Sequence, residues 1–151
     1  MRPFRIRRYR PSHIENLMEV ERASFGRDAY DRKLFAEYSH KCGELFLIAE
    51  GIFGLHRRIC GYSLTCTRGD RAELVSIAVY PALRGRGIAS ALLASTLRRL
   101  RRRKIARLSL MVRLTNTAAR AFYEKFGFSA VRTVHGYYED GGDGCLMGKQ
   151  L

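Results

Sequence analysis

The chain has 151 residues, 46% of them hydrophobic, which is enough to bury the core of a single domain spanning 1–151. Its 28 Lys and Arg outnumber 14 Asp and Glu, a formal net charge of +14. No uncharged apolar run of about 18 residues occurs, which argues against a membrane span, and a positive field of this strength draws phosphates on RNA, ribosomes or a polyanionic cofactor.

The N-terminus, "MRPFRIRRYR", lacks the apolar middle of a secretory signal, so a cytoplasmic protein is expected. Cys42, Cys60, Cys66 and Cys145 form no C-x-x-C pair and lie near no histidine at ligand spacing. They read as free thiols, with no metal site.

In chain order, Phe4 to Tyr9 reads as a strand, and Pro11 opens a helix in which Ser12 and Glu15 are spaced as a capping box. Ile14, Leu17 and Met18 carry that helix forward, and Leu34, Phe35 and Tyr38 mark a second one after a polar break at Gly26 to Asp28. Glu44 to Glu50 and Ile59 to Cys66 read as strands around a turn-rich Gly51 to Arg58, and Glu73 to Val79 as another. Beyond Pro81 the period becomes helical: Ala89, Leu92, Leu93, Thr96, Leu97 and Leu100 form one apolar face. The basic run Arg98 to Lys104 at its end reads as a solvated helix terminus opposing the macrodipole, with a nucleic-acid contact as the alternative. Leu108 to Val112 is a short strand, and Asn116 to Phe126 a helix with Ala118, Ala119, Phe122 and Phe126 on one side. Phe128 to Tyr138 and Cys145 to Leu151 read as closing strands. The order β-α-α-β-β-β-α-β-α-β-β predicts a mixed α/β (α+β) sheet with helices on its faces.

Where the fourth strand turns into the third helix stands Arg84-Gly85-Arg86-Gly87-Ile88-Ala89-Ser90. A helix start leaves its first amides without partners, glycines let an anion approach the backbone, and arginines add charged donors. That chemistry suits a pyrophosphate, although a lone G-x-G is by itself equally an eased turn. On residue type alone Asn116 reads as an N-cap and Tyr123 as a core position.

Arg84 to Ala89 resembles the [QR]-x-x-G-x-[GA] motif of the GCN5-related N-acetyltransferase (GNAT) superfamily, and Asn116 to Phe128 resembles its N-x-x-A-x-x-x-Y-x-x-x-G-F segment. The resemblance implies a GNAT fold, a mixed sheet flanked by helices, and acetyl transfer from acetyl-CoA to an amine without a metal. It implies that backbone groups of Ile77, Ala78 and Val79 hold the pantetheine arm, that Arg84, Gly85, Arg86, Gly87, Ile88, Ala89 and Ser90 hold the pyrophosphate, and that Asn116 contacts the cofactor. Tyr123 would protonate the departing thiolate. An acceptor amine is mostly protonated at neutral pH and needs a base or a water chain, for which Glu73 is the candidate, against a plain strand-end carboxylate.

"LMVRLTN" and the pair Tyr137-Tyr138 are similar to the ribosomal-protein alanine acetyltransferases and related N-terminal acetyltransferases. By that likeness Tyr137 and Tyr138 line the slot for the acceptor backbone. Met111 stands where those enzymes place a proton-accepting glutamate or histidine. The expected acceptor is a protein N-terminus. Alternatives are a small amine or lysine side chain, and a non-catalytic acetyl-CoA or nucleic-acid binding module. Ribosome or RNA contact is a possible role for the basic surface.

Overall fold

The structure, a computed structural model, describes residues 3–53 and 56–151. Its strands are Phe4–Arg8 (β1), Phe46–Phe53 (β2), His56–Arg68 (β3), Arg71–Val79 (β4), Arg107–Arg113 (β5), Ser129–Val134 (β6) and Gly144–Gln150 (β7). Its helices are Ile14–Phe25 (α1), Arg32–Cys42 (α2), Ile88–Arg102 (α3) and Thr117–Lys125 (α4). The strands form a sheet in the order β1-β2-β3-β4-β5-β7-β6. Pairing is parallel between β4 and β5 and antiparallel for β1–β2, β2–β3, β5–β7 and β6–β7. Among the described residues no helix is long and apolar enough to cross a membrane.

Two compact units make up the chain: Met1–Cys66 with Ser76–Arg99, and Thr67–Val75 with Leu100–Leu151. In the first, the unbroken apolar run Leu47, Ile48 and Ala49 on β2 is fully buried, as a strand covered on both faces should be. Phe35, Phe46 and Tyr62 pack around it, with the Phe35 and Tyr62 rings edge to face at 5.6 Å. Ile88, Ala91 and Leu92 of α3 join Phe4, Leu47, Ala49, Cys60 and Val79 in a second cluster. Gly61 makes that contact possible, because a Cβ there would stand 2.8 Å from the Ala78 carbonyl and 3.2 Å from Ile88 Cγ2.

In the second unit β5 alternates strictly. Leu108, Leu110 and Val112 are buried on one face, while Arg107, Ser109, Met111 and Arg113 are half-buried on the other.

Several local expectations give way to the structure. The capping box at Ser12 and Glu15 does not form: Pro11 starts a short 3-10 turn, α1 begins at Ile14, and His13 Nδ1 accepts the Arg10 N–H at 2.9 Å instead. The turn expected over Gly51 to Arg58 is mostly strand, since Gly51 pairs with Arg58 and Ile52 with Arg57; residues 54 and 55 lie outside the described set. The strand expected to run to Tyr138 ends at Val134. Ala118 is exposed, and the most buried side chain of α4 is Tyr123. Cys42 and Cys66 are a disulfide, not free thiols, whereas Cys60 and Cys145 are free and buried. The β2–β3 register, with Phe46 opposite Leu64, brings the end of α2 back against Cys66.

Candidate active site

At the end of β4 the chain makes a short turn at Pro81–Leu83 and passes through Arg84 to Gly87 into α3. Gly85 (φ +79°) and Gly87 (φ +81°) lie in the left-handed region that glycine adopts without strain. Nothing stands within 4 Å of where a Cβ would sit on either, so the backbone there faces open space. The first bond into the helix runs from the Ala91 N–H to the Gly87 carbonyl at 3.0 Å. The amides of Ile88, Ala89 and Ser90 have no hydrogen-bond partner among the described residues. Ile88, only 2% exposed, anchors this end in the core. The result is a fixed set of unpaired donors beside two exposed arginines, which fits the pyrophosphate of acetyl-CoA. Arg84 is partly committed, its Nε 3.4 Å from the Val79 carbonyl. Ala78 and Val79 are buried and Ile77 half-buried on the strand leading in.

The second unit holds the remaining expected residues. Asn116 caps α4, its Oδ1 accepting the Ala119 N–H at 3.1 Å, and is itself exposed. Tyr123 is 7% exposed, with its ring edge to face against Phe122 and Phe128. Burial, and then the charge Tyr138 would carry if ionised, push its hydroxyl up to about 12. It therefore stays protonated at neutral pH and is available as a proton donor. Tyr137 and Tyr138 lie in the turn after β6, edge to face at 5.0 Å, Tyr137 exposed and Tyr138 half-buried. The Arg113 guanidinium sits 4.1 Å over the Tyr138 ring and also meets Asp140 at 3.1 Å. The Gly136 N–H donates to Asp143 and the Gly142 N–H to Asp140, so the glycine-rich loop is tied down by its own carboxylates.

Glu73 is exposed on β4 opposite Ser109, on the same sheet face as Met111. Met111 reaches over Gly144, where an added Cβ would stand 2.8 Å from its Sδ and 3.2 Å from Tyr137 Cβ. Thus Met111 and the tyrosine turn come together, and Glu73 lies on the same sheet face as Met111. No group of His, Cys, Asp or Glu among the described residues is placed to hold a metal ion.

One functional-looking group escaped the sequence reading. Glu21, 1% exposed, accepts the Tyr62 hydroxyl at 2.6 Å and the Tyr30 N–H at 2.9 Å, and the Tyr62 hydroxyl also meets Ser76 at 2.7 Å. Burial raises its carboxyl above the usual range, while the two hydrogen bonds hold it down. A signal was present: Ile14, Leu17, Met18 and Glu21 share one helical stripe, which sets a carboxylate on the buried face.

Known proteins resemble this chain in sequence and in fold. The acetyltransferase (GNAT) family profile matches residues 12–128, which takes in both the Arg84 loop and Asn116 to Phe128. An N-alpha-acetyltransferase of Saccharolobus solfataricus is 30% identical, over 99% of this chain and 95% of its own. The solved structure of Ard1 from Thermoplasma volcanium superposes with a TM-score of 0.90 at 23% identity, over 99% and 98% of the two chains. That of the ribosomal-protein-S18-alanine N-acetyltransferase from Escherichia coli does so at 0.85 and 27%, over 98% and 94%. With that profile matched over residues 12–128 and a 30% identical relative covered almost end to end, the chain belongs to the acetyltransferase (GNAT) family.

Proposed function

We propose that the whole chain, 1–151, acts as one domain that transfers the acetyl group of acetyl-CoA to the α-amine of a protein N-terminus. The observation that carries this reading is the set of unpaired amides at Ile88, Ala89 and Ser90 behind the left-handed Gly85 and Gly87. Relatives named as N-alpha- and ribosomal-protein-alanine acetyltransferases support an N-terminal acceptor. The rival acceptors, a small amine or a lysine side chain, are favoured by Met111 and by the loop Gly26 to Asp31, to which this reading assigns no role. A non-catalytic binding module would not need the buried, protonated Tyr123.

Acetyl-CoA supplies an activated thioester. The loop Arg84 to Ser90 binds its pyrophosphate, chiefly through the amides of Ile88, Ala89 and Ser90, the backbone of Ile77 to Val79 lies along the pantetheine arm, and Asn116 adds a contact from its cap position. Glu73 takes a proton from the acceptor ammonium, directly or through water. Tyr123 gives its hydroxyl proton to the sulfur as the carbon–sulfur bond breaks, in a direct transfer with both substrates bound. Tyr137 and Tyr138 hold the acceptor backbone. The compartment in this reading is the cytoplasm, and the +14 charge supports contact with ribosomal RNA where N-termini emerge.

The test offers acetyl-CoA with N-terminal peptides, lysine peptides and polyamines, and reads acetylation by mass spectrometry. Acetylated α-amines are expected; turnover confined to polyamines or lysine side chains would overturn the proposal.

A further inference from the structure

The face of the second unit that carries Glu73 also carries a cluster of cations outside the site described above. Register sets Arg71 of β4 opposite Arg107 of β5, and Arg107 opposite Gln150 of β7. Two steps further along, Ser109 faces Gly148, and then Met111 faces Leu146, which in turn faces Arg132 of β6. All of these share one side of the sheet, because partners across a ladder point the same way. β7 offers glycine at 144 and 148 there, so Leu146 stands alone between two gaps. The Arg107 guanidinium lies across one gap, over Gly148, where a Cβ would collide with it. A bulge in β6 between Ala130 and Arg132 leaves Val131 without a ladder partner and half-exposed beside Leu146.

The outcome is a depression of about 410 Å³ with Arg71, Arg107 and Arg132 around it, the Ser109 hydroxyl beside them, and an aliphatic floor including Val131 and Leu146. Among the described residues none of the three arginines has a carboxylate partner; Arg107 is within 3.0 Å only of the Gln150 side-chain oxygen, once that amide is oriented to accept. Three like charges around a concavity repel one another, and an anion entering it relieves that repulsion.

We propose that this groove binds acidic side chains of the acceptor polypeptide downstream of the amine that is acetylated. The proposal rests on the N-terminal acetyltransferase reading, and names a feature of its substrate. Charge complementarity selects a carboxylate, and the aliphatic floor suits the stem of a glutamate. A nucleic acid fits less well, since no aromatic ring lines the depression to stack a base. Position favours the acceptor chain. Arg71 lies two residues from Glu73 on the same strand face, roughly 6.6 Å away at about 3.3 Å per residue. An extended acceptor whose amine lies at Glu73, and whose chain runs toward the start of β4, sets its side chains from about the third residue onward against Arg71 and Arg107, while the Tyr137-Tyr138 turn flanks the amine end.

Peptides sharing their first two residues, with glutamate or glutamine at positions three to five, test this in two ways. Acetylation kinetics give the KM ratio, and fluorescence anisotropy with labelled peptide in the presence of CoA gives binding without turnover. The glutamate peptide is expected to show a KM lower by about tenfold at low salt, the scale for a few partly exposed ion pairs. Arg71→Gln with Arg132→Gln should bring the ratio close to one. Arg132→Glu should shift preference toward a lysine-bearing peptide, a gain that a misfolded variant cannot produce. Equal KM values for both peptides in the wild type overturn the groove while leaving the acetyltransferase reading intact. Charge-dependent binding without acetylation supports the groove and overturns that reading. Displacement of the acidic peptide by a short RNA at a lower concentration than by unlabelled peptide assigns the groove to nucleic acid and overturns the proposal.

Discussion

Gly87→Ala isolates the backbone contribution to cofactor binding. In the free protein the new methyl meets nothing, since no atom lies within 4 Å of its position. The φ of +81° is another matter, because an L-residue held in the left-handed region costs roughly 1–2 kcal/mol. If α3 stays anchored through buried Ile88, that cost appears as lost stability, and the methyl also projects into the space an anion would fill. If the loop relaxes instead, the amides of Ile88, Ala89 and Ser90 no longer converge, and one lost charge-assisted hydrogen bond costs about 1.5–3 kcal/mol. On either route CoA affinity should fall by about 10- to 100-fold. Calorimetry with CoA measures the loss, a thermal melt reports the stability share, and pantetheine, which lacks the pyrophosphate, serves as the control whose affinity should stay unchanged. Wild-type CoA affinity in the alanine variant, within twofold, would refute the assignment of this loop to the pyrophosphate.

Further expectations follow from the same geometry. Glu21→Ala strands the Tyr30 N–H and one partner of the Tyr62 hydroxyl and should destabilise the fold by about 2–4 kcal/mol in chemical unfolding; Glu21→Gln should be far milder, since its amide can accept from Tyr30 and donate to Tyr62, which then donates to Ser76. Because burial raises the Glu21 carboxyl in the folded state, its contribution is complete below the unfolded value and is lost as pH rises through the folded one, so Glu21→Gln should flatten the melting temperature against pH across that window. Tyr123→Phe should lower kcat and leave KM for acetyl-CoA nearly unchanged, while Glu73→Gln should lose most activity at neutral pH and recover at alkaline pH; a wild-type pH–rate profile in the latter would make Glu73 structural. Replacing Arg101 to Arg103 with glutamine should leave acetyl-CoA turnover intact, and a pull-down in which only the wild type retains ribosomes or RNA would show that this run is more than a solvated helix end.

The element order was legible because the strands and helices keep strict periods: Leu108, Leu110 and Val112 alternate, and Leu92, Leu93 and Leu100 recur at helical spacing. A tight glycine turn at 85 and 87 was legible from the G-x-G itself, though not its left-handed backbone, and Asn116 as a cap from its place before a helix. What stayed hidden depends on partners distant in sequence. Ser12 and Glu15 have capping-box spacing, yet Pro11 starts a 3-10 turn that takes them out of register. The Cys42–Cys66 bond follows from how β2 returns against β3, 24 residues apart, which no local pattern encodes. Arg113 over Tyr138, and Arg71 opposite Arg107, likewise exist only once the ladders are set. Glu21 was visible as an anomaly on an apolar stripe, but its donors, Tyr30 and Tyr62, were not.

The open, unpaired amides at the start of α3 have a kinetic corollary. In the proposed reading they contact the part of the cosubstrate that chemistry leaves untouched, so a cup built around the pyrophosphate would hold spent CoA as firmly as acetyl-CoA. Only the few atoms at the thioester end distinguish reactant from product. An enzyme built that way would be inhibited by its own product at concentrations close to those at which it binds its donor, and its rate would then follow the ratio of acetylated to free CoA more than the amount of either.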